Sequence, residues 1–307
     1  MLRLCIIGVG LIGGSLARAL RGAGACDEIV GCGCDPQQLQ KALALGVIDR
    51  AEIDIARAVQ GADVVVVAVP VGAMEQVFHA MAQHLAPDTI VTDVGSTKGD
   101  VVAAAQKVFG ILPPTWVPGH PIAGTERSGV EASFPELFRN RRVILTPAPN
   151  AHEWAVARVT WMWQQAGAQV TSMDPRQHDD ILAASSHLPH VLAYALVHTL
   201  AGMQNSDEIF KYAAGGFRDF TRIASSDPQM WHDICLANRD ALLTMLRRYS
   251  GELQQIADAL QRADGAYLQS VFTQAKQARD GYMQNTNPPC PPFSKGEIPS
   301  SEGGTGA

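Results

Sequence analysis

Cysteine pairs spaced for metal or dithiol chemistry are missing from this chain. Its six cysteines (Cys5, Cys26, Cys32, Cys34, Cys235 and Cys290) contain no CxxC, which argues against a zinc site or a redox pair built from them. Most of them fall early, on expected strand or loop positions, so free thiols in a reducing compartment, the cytoplasm, are expected. Surplus basic charge is missing too. With 24 Lys+Arg against 30 Asp+Glu, the net charge is −6, which argues against nucleic acid or an anionic membrane as the main partner. A local cationic pocket for a small anion is still allowed. Long apolar runs are also lacking. The longest, residues 64–74, is interrupted by Pro70 and Gly72 and is too short to span a bilayer. No internal repeat is evident.

What is present is enough apolar content, 47% of 307 residues, for one large domain or two ordinary ones. Residues 2–7 form a short run, apolar but for Arg3, the pattern of a strand buried on both faces. Gly8, Gly10 and Gly13 follow at once as GxGxxG. Apolar residues then recur at helical spacing as far as Gly22 and Gly24. A weak signal peptide would share this composition, but the strand–turn–helix reading explains the glycines. Further strands are expected at residues 28–32, 64–69, 89–92, 116–118, 143–146 and 169–172. Helices are expected between them, from Asp35-Pro36 and at 74–85, 98–108 and 153–166. Alternating strands and helices predict a parallel sheet covered on both faces.

The style changes near Met173. From there to Tyr282 only helical stretches are expected. An apolar series from Trp231 and Ile234 through Leu242, Leu253 and Leu260 to Tyr267 reads as core and, in part, as a subunit interface. The Pro/Gly/Ser-rich end reads as a disordered tail. The expected fold class is therefore α/β, an N-terminal Rossmann-type parallel-sheet domain followed by an all-α dimerisation domain. The expected boundaries are 1–172, 173–283 and a tail at 284–307.

The glycine pattern carries chemistry only where a strand ends and a helix begins, which is its setting here. Gly8 allows the tight turn, Gly10 lets a pyrophosphate approach, and Gly13 lets the helix pack on the sheet. Leu11 and Ile12 supply N–H groups at the helix start. Asp35, at the end of the second strand, is placed to accept the ribose hydroxyls and to repel a 2′-phosphate, favouring NAD over NADP. It also suits a helix cap before Pro36. Val69 and Pro70, ending the strand at 64–69, complete the expected cofactor set.

"GHPIAGTERSG" at 119–129 reads as a polar loop at the carboxyl end of the sheet. His120 there has the residue type for a group that handles a proton while a hydride moves. His187 and His190 flank Pro189 as HxxH, but no carboxylate has ligand spacing, so no metal is expected. Pro189 cannot donate to the Ser185 carbonyl and is expected to kink its helix.

Five segments occur in order: "GVGLIGGSLA", "DVGSTKG", "GHPIAGTERSG", "SSHLPH" and "GGFRDFTRIASSDPQMW". Together they resemble the prephenate/arogenate dehydrogenase family of tyrosine biosynthesis, over about residues 2–282. The resemblance implies an NAD-dependent oxidation of a cyclohexadienol with loss of the ring carboxylate. It implies a small-molecule substrate and a homodimer formed through the helical domain. It assigns His120 as the proton acceptor, Ser96 beside it, and Arg222 as the carboxylate-binding arginine. Arg218, four residues earlier, would share a helix face with Arg222. His187 would line the pocket, with Glu126 as gate and Trp231 as wall. The rival readings are another two-domain dehydrogenase, such as a β-hydroxyacid dehydrogenase, and a non-catalytic NAD-sensing dimer. Nothing in the sequence separates prephenate from arogenate.

Overall fold

The computed structural model describes residues 2–285. The expected tail, residues 286–307 of it, and Cys290 lie outside the described residues. The chain opens with β1 (Arg3–Ile7), α1 (Leu11–Gly22), β2 (Glu28–Cys32), α2 (Pro36–Ala44), β3 (Arg50–Glu52), α3 (Ile55–Ala58), β4 (Val64–Val67), α4 (Met74–Met81), β5 (Ile90–Asp93) and α5 (Gly99–Phe109). These strands form one parallel sheet in the order β3-β2-β1-β4-β5. The central strands β1 and β4 are almost wholly apolar because both faces are covered. Leu4, Ile6, Val64 and Val66 enter one core, while Cys5, Ile7, Val65 and Val67 enter the other, as alternation along a strand requires.

A second sheet follows from β6 (Gly119–Pro121), β7 (Arg142–Leu145), α6 (Glu153–Gln165) and β8 (Gln169–Ser172). Its order is β6-β7-β8, with β6 antiparallel to β7 and β7 parallel to β8. Two expectations are corrected here. The sheet architecture is not wholly parallel, and the histidine-bearing stretch starts as a strand rather than a loop. His120 pairs with Ile144 across β6–β7. The strand expected at 116–118 is reduced to a single bridge from Trp116 to Val91.

Beyond β8 the described residues are helical: α7 (Pro175–Leu182), α8 (Leu188–Ala201), α9 (Ser206–Lys211), α10 (Gly215–Thr221), α11 (Pro228–Ala237), α12 (Arg239–Gln261) and α13 (Gly265–Asn285). Asp174 caps α7 by accepting from the N–H groups of Arg176 and Gln177, with Pro175 in the first turn, a strong start signal. Between α7 and α8 the backbone widens into a π-turn over Ala183–His187. Pro189 therefore follows a π-turn instead of kinking a continuous α-helix, and the Ser186 carbonyl accepts from the His190 ring nitrogen at 3.0 Å. Such turns cluster at functional sites.

By packing, the chain divides after Gln254. The first unit holds both sheets and the helices up to that point. In the second, beginning at Gln255, Asp264 accepts from the Tyr267 N–H at 3.0 Å and the Tyr267 hydroxyl donates to Gln255 at 2.9 Å. No helix among the described residues is long and apolar enough to cross a membrane.

Candidate active site

The glycine turn is built by close approach. Gly8 has φ of 99°, a region costly for residues with a Cβ. A Cβ there would stand 2.4 Å from the Ala68 carbonyl oxygen and 3.1 Å from the Val69 nitrogen, so β1 and the end of β4 meet at this turn and bring Val69 and Pro70 beside it. A Cβ on Gly13 would stand 2.3 Å from the Gly8 carbonyl oxygen, so α1 packs directly on the turn. Gly10 is the N-cap of α1 and supplies no side-chain cap; no atom lies within 4 Å of where its Cβ would be. The uncapped N–H groups of the first turn, including those of Leu11 and Ile12, stand at the positive end of α1. This cradle fits a pyrophosphate.

Asp35 follows β2 and caps α2, with Oδ1 accepting from Gln37 N at 2.8 Å and Gln38 N at 3.4 Å. Its other oxygen is not used by the cap. Both sequence readings of Asp35 are therefore compatible in one side chain.

Off the carboxyl end of β5 lies a buried polar cluster. The Gly119 N–H donates to Asp93 Oδ1 at 3.2 Å, and the Gly95 N–H to Oδ2 at 2.7 Å. Lys98 and Asp93 form an ion pair with neither side chain exposed. The Lys98 ammonium also donates to the Gly119 carbonyl at 2.8 Å. Lys98 thereby fastens the residue before His120, while its own backbone N–H donates to Asp179 Oδ1 at 2.8 Å.

His120 is buried, and its Nδ1 lies 2.8 Å from Nε2 of His178. His178 Nδ1 lies 2.8 Å from Asp179 Oδ1. Asp179 Oδ2 accepts from the Gly99 N–H at 2.7 Å. Burial alone raises the Asp179 pKa, but the bonds from His178, Lys98 N and Gly99 N outweigh it and hold the carboxyl below its usual range. A carboxylate only accepts, so with His178 neutral its proton sits on Nδ1 and its Nε2 is bare. His120 must then donate from Nδ1, which leaves His120 Nε2 as a lone pair. Burial, then the facing His178, Lys98 and His187, push His120 well below the ordinary histidine value, so it is a neutral acceptor at cellular pH.

His187 ends the π-turn and is buried. The Asn238 amide donates to the Asp179 carbonyl at 2.8 Å and to His187 Nδ1 at 3.1 Å. The His187 proton is thus on Nε2, which has no hydrogen-bond partner, although the Ser96 backbone near this ring favours its protonated form. Burial, the largest cause, lowers the His187 pKa to about 4 from 6.5. Its sign follows directly: the unfolded chain binds the proton first, so stability present above pH 6.5 is lost as pH falls toward about 4. Denaturation midpoints at steps between those limits should decline with pH, and a flat profile would contradict the buried neutral ring.

Trp231 is buried and stacks on His190, with ring centroids 3.7 Å apart, and meets His187 edge-on at 6.1 Å. Arg222 and Glu126 are both exposed and form an ion pair at 3.3 Å, which brings the β6–β7 connection to the turn after α10. Arg218 is exposed on α10, whereas Arg222 starts a separate 3-10 turn over Arg222–Ser225. The Arg222 backbone N–H nonetheless donates to the Arg218 carbonyl, so the two stand one helical turn apart, as residues i and i+4 of one face do. Ser96 is half-buried in the β5–α5 loop.

Asp93, Lys98, His178, Asp179 and Asn238 were not singled out by the sequence. Lys98 stands inside "DVGSTKG" and reads as a helix start. His178 and Asp179 are neighbours in a polar helix, with nothing local to show that 0% and 8% of them are exposed.

Fold and site together define a dinucleotide-dependent oxidoreductase with a buried histidine acceptor at the carboxyl end of its parallel sheet. The family model "Prephenate dehydrogenase, nucleotide-binding domain" matches residues 16–172, and "Prephenate dehydrogenase, dimerization domain" matches residues 174–274. A cyclohexadienyl dehydrogenase of Zymomonas mobilis is 39% identical over 280 residues, covering 90% of this chain and 94% of that protein. Among solved structures, prephenate dehydrogenase from A. aeolicus in complex with hydroxyphenyl propionate and NAD+ aligns with a TM-score of 0.85 at 36% identity, covering 92% of this chain and 98% of that one. Synechocystis arogenate dehydrogenase aligns at 0.74 and 28% identity, covering 91% and 99%. The chain belongs to the prephenate dehydrogenase family.

Proposed function

We propose that the chain oxidises prephenate, arogenate or both, with NAD as its cofactor, releasing CO2 and giving 4-hydroxyphenylpyruvate or tyrosine. The observation that carries this reading is the bare Nε2 of His120, fixed as an acceptor by the His178–Asp179 chain. When bound, NAD supplies the hydride acceptor. Gly8, Gly10, Leu11, Ile12 and Gly13 would hold its pyrophosphate, Asp35 its ribose, with Val69 and Pro70 flanking the turn. His120 Nε2 takes the proton of the ring hydroxyl, with the Ser96 hydroxyl bonding the same oxygen. Arg222 binds a substrate carboxylate, for which a guanidinium fork is suited, and Arg218 adds positive charge nearby. Glu126, paired with Arg222, gates that contact. His187 offers its Nε2–H to the substrate, and Trp231 walls the pocket. His120, His187 and Trp231 are buried, so the contacts made by these rings act at low dielectric.

The organisation we propose keeps the boundary at 172/173, with the helical part pairing two copies. The name of the matched C-terminal family model supports this, as do Leu253, Leu260 and Phe272, apolar and exposed in the single chain. A cytoplasmic setting suits its thiols, since Cys5, Cys26, Cys32, Cys34 and Cys235 are all free.

The test is direct. Purified protein is supplied with NAD or NADP and with prephenate or arogenate, and reduced nicotinamide and CO2 are followed together. Stoichiometric formation of both supports the reading; oxidation of neither dienol removes it. The cofactor choice has its own test. Asp35→Ser keeps a capping hydroxyl for α2 but removes the charge that repels a 2′-phosphate. The preference for NAD should fall roughly tenfold, the factor that about 1.4 kcal/mol supplies, with little change in melting temperature. An unmoved preference counts against Asp35.

A further inference from the structure

We infer that His178, not His120, is where the substrate's hydroxyl proton waits during turnover, and that Asp179 makes it so. This rests on the proposed dienol oxidation. The geometry is a continuous line of two hydrogen bonds, His120 Nδ1 to His178 Nε2 and His178 Nδ1 to Asp179 Oδ1, each 2.8 Å. Within it only one member touches a full negative charge.

The proton balance closes without loss to solvent. As the ring hydroxyl becomes a carbonyl, its O–H bond breaks and an N–H bond forms at His120 Nε2. The N–H bond at His120 Nδ1 breaks and one forms at His178 Nε2. His120 is then neutral again, as the opposite tautomer, and the imidazolium is His178. When the ring carboxylate leaves as CO2, its electron pair aromatises the ring and leaves the oxygen as phenolate. The same two transfers run backward and deliver the proton to that oxygen. A buried site that must hold one proton for part of each cycle needs a place where the charge is compensated.

The groups facing this pair decide where that place is. His120 faces His178, Lys98 and His187, all cationic or able to become so. His178 is bonded to Asp179, whose charge is anchored by two backbone N–H groups. Lys98 is already matched by Asp93. Asp100 and His187 both face Asp179. Positive charge is therefore better compensated at His178. His178 does not touch the reacting atoms and acts through His120, so it is a positioning residue that also stores the proton.

Two measurements test this. In His178→Gln an amide oxygen occupies the Nε2 position, still accepts from His120 Nδ1 and keeps its tautomer, but cannot take a proton. Turnover should fall at least tenfold with KM and NAD affinity kept, and the acid limb of kcat/KM should move to lower pH. A side chain that merely oriented His120 would be replaced by Gln without moving that limb, so parent-like turnover and pH profile overturn the inference. The second uses the unmodified protein with NAD bound and ¹⁵N-labelled histidine. On acidification, His178 should become protonated on both nitrogens while His120 stays neutral and switches its proton from Nδ1 to Nε2. A doubly protonated His120 beside a neutral His178 overturns it. This spectrum reads the relay even if neither dienol proves to be a substrate, so the two proposals fail separately.

Discussion

Replacing His120 by Asn lowers turnover by on the order of a hundredfold to ten-thousandfold, the usual worth of a positioned general base, and leaves NAD affinity nearly unchanged. The asymmetry follows from position. His120 sits on β6 beyond the end of β5, whereas the nucleotide cradle is made at the ends of β1, β2 and β4. Asn cannot accept at the place of the imidazole Nε2, nor pass a proton to His178. Steady-state kinetics together with a titration of NAD against the variant check both halves. Retained turnover would remove the imidazole from the chemistry, and lost NAD binding would show that the change had disturbed the turn as well.

Lys98→Met costs about 3–5 kcal/mol of folding stability, the penalty for leaving one member of a buried pair uncompensated. The environment is specific: Lys98 and Asp93 have side chains that are 0% exposed, and Asp93 also holds Gly95 N and Gly119 N. Removing the ammonium strands the carboxylate and releases the Gly119 carbonyl, the anchor of the residue before His120. Denaturant unfolding measures the loss. The paired change Asp93→Leu with Lys98→Met should recover part of it, because an apolar pair of similar volume is often close to neutral. A Lys98→Met protein as stable as the parent would mean that this ion pair does not hold β6.

The parts of the fold that were legible from sequence are those whose cause is local. The run before Gly8 is apolar from Leu4 to Ile7 because β1 is buried there on both faces, and the strand comes out as Arg3–Ile7 with only Arg3 exposed. The strands Glu28–Cys32 and Gln169–Ser172 have the expected ends. The glycine pattern is legible because Gly8 and Gly13 answer to backbone atoms a few ångströms away. What was not legible depends on pairing at long range. β3 is three residues, Arg-Ala-Glu, with no apolar run to mark it. β6 carries two of its three residues as Gly and Pro, which read as a turn, and it becomes a strand through β7. The π-turn before Leu188 has no marker beyond Pro189.

The site divides in the same way. His120 could be singled out by residue type and place, while the pair that sets its tautomer comes from a helix 58 residues later. Asp179 reaches Gly99 across 80 residues, and Asn238 reaches Asp179 across 59. No spacing rule connects such groups, because folding alone brings them within 3 Å of one another. Charge gave no hint either, since a lysine and two aspartates in an acidic chain look like surface until their burial is known.

The most direct measurement is a crystal structure of the protein with NAD and a phenolic product analogue bound. The phenolic oxygen is expected within about 2.6–3.2 Å of His120 Nε2, hydrogen-bond reach for a general base, with His120 Nδ1 still on His178. A phenolic oxygen held elsewhere, with His120 Nε2 turned to protein or solvent, would contradict it.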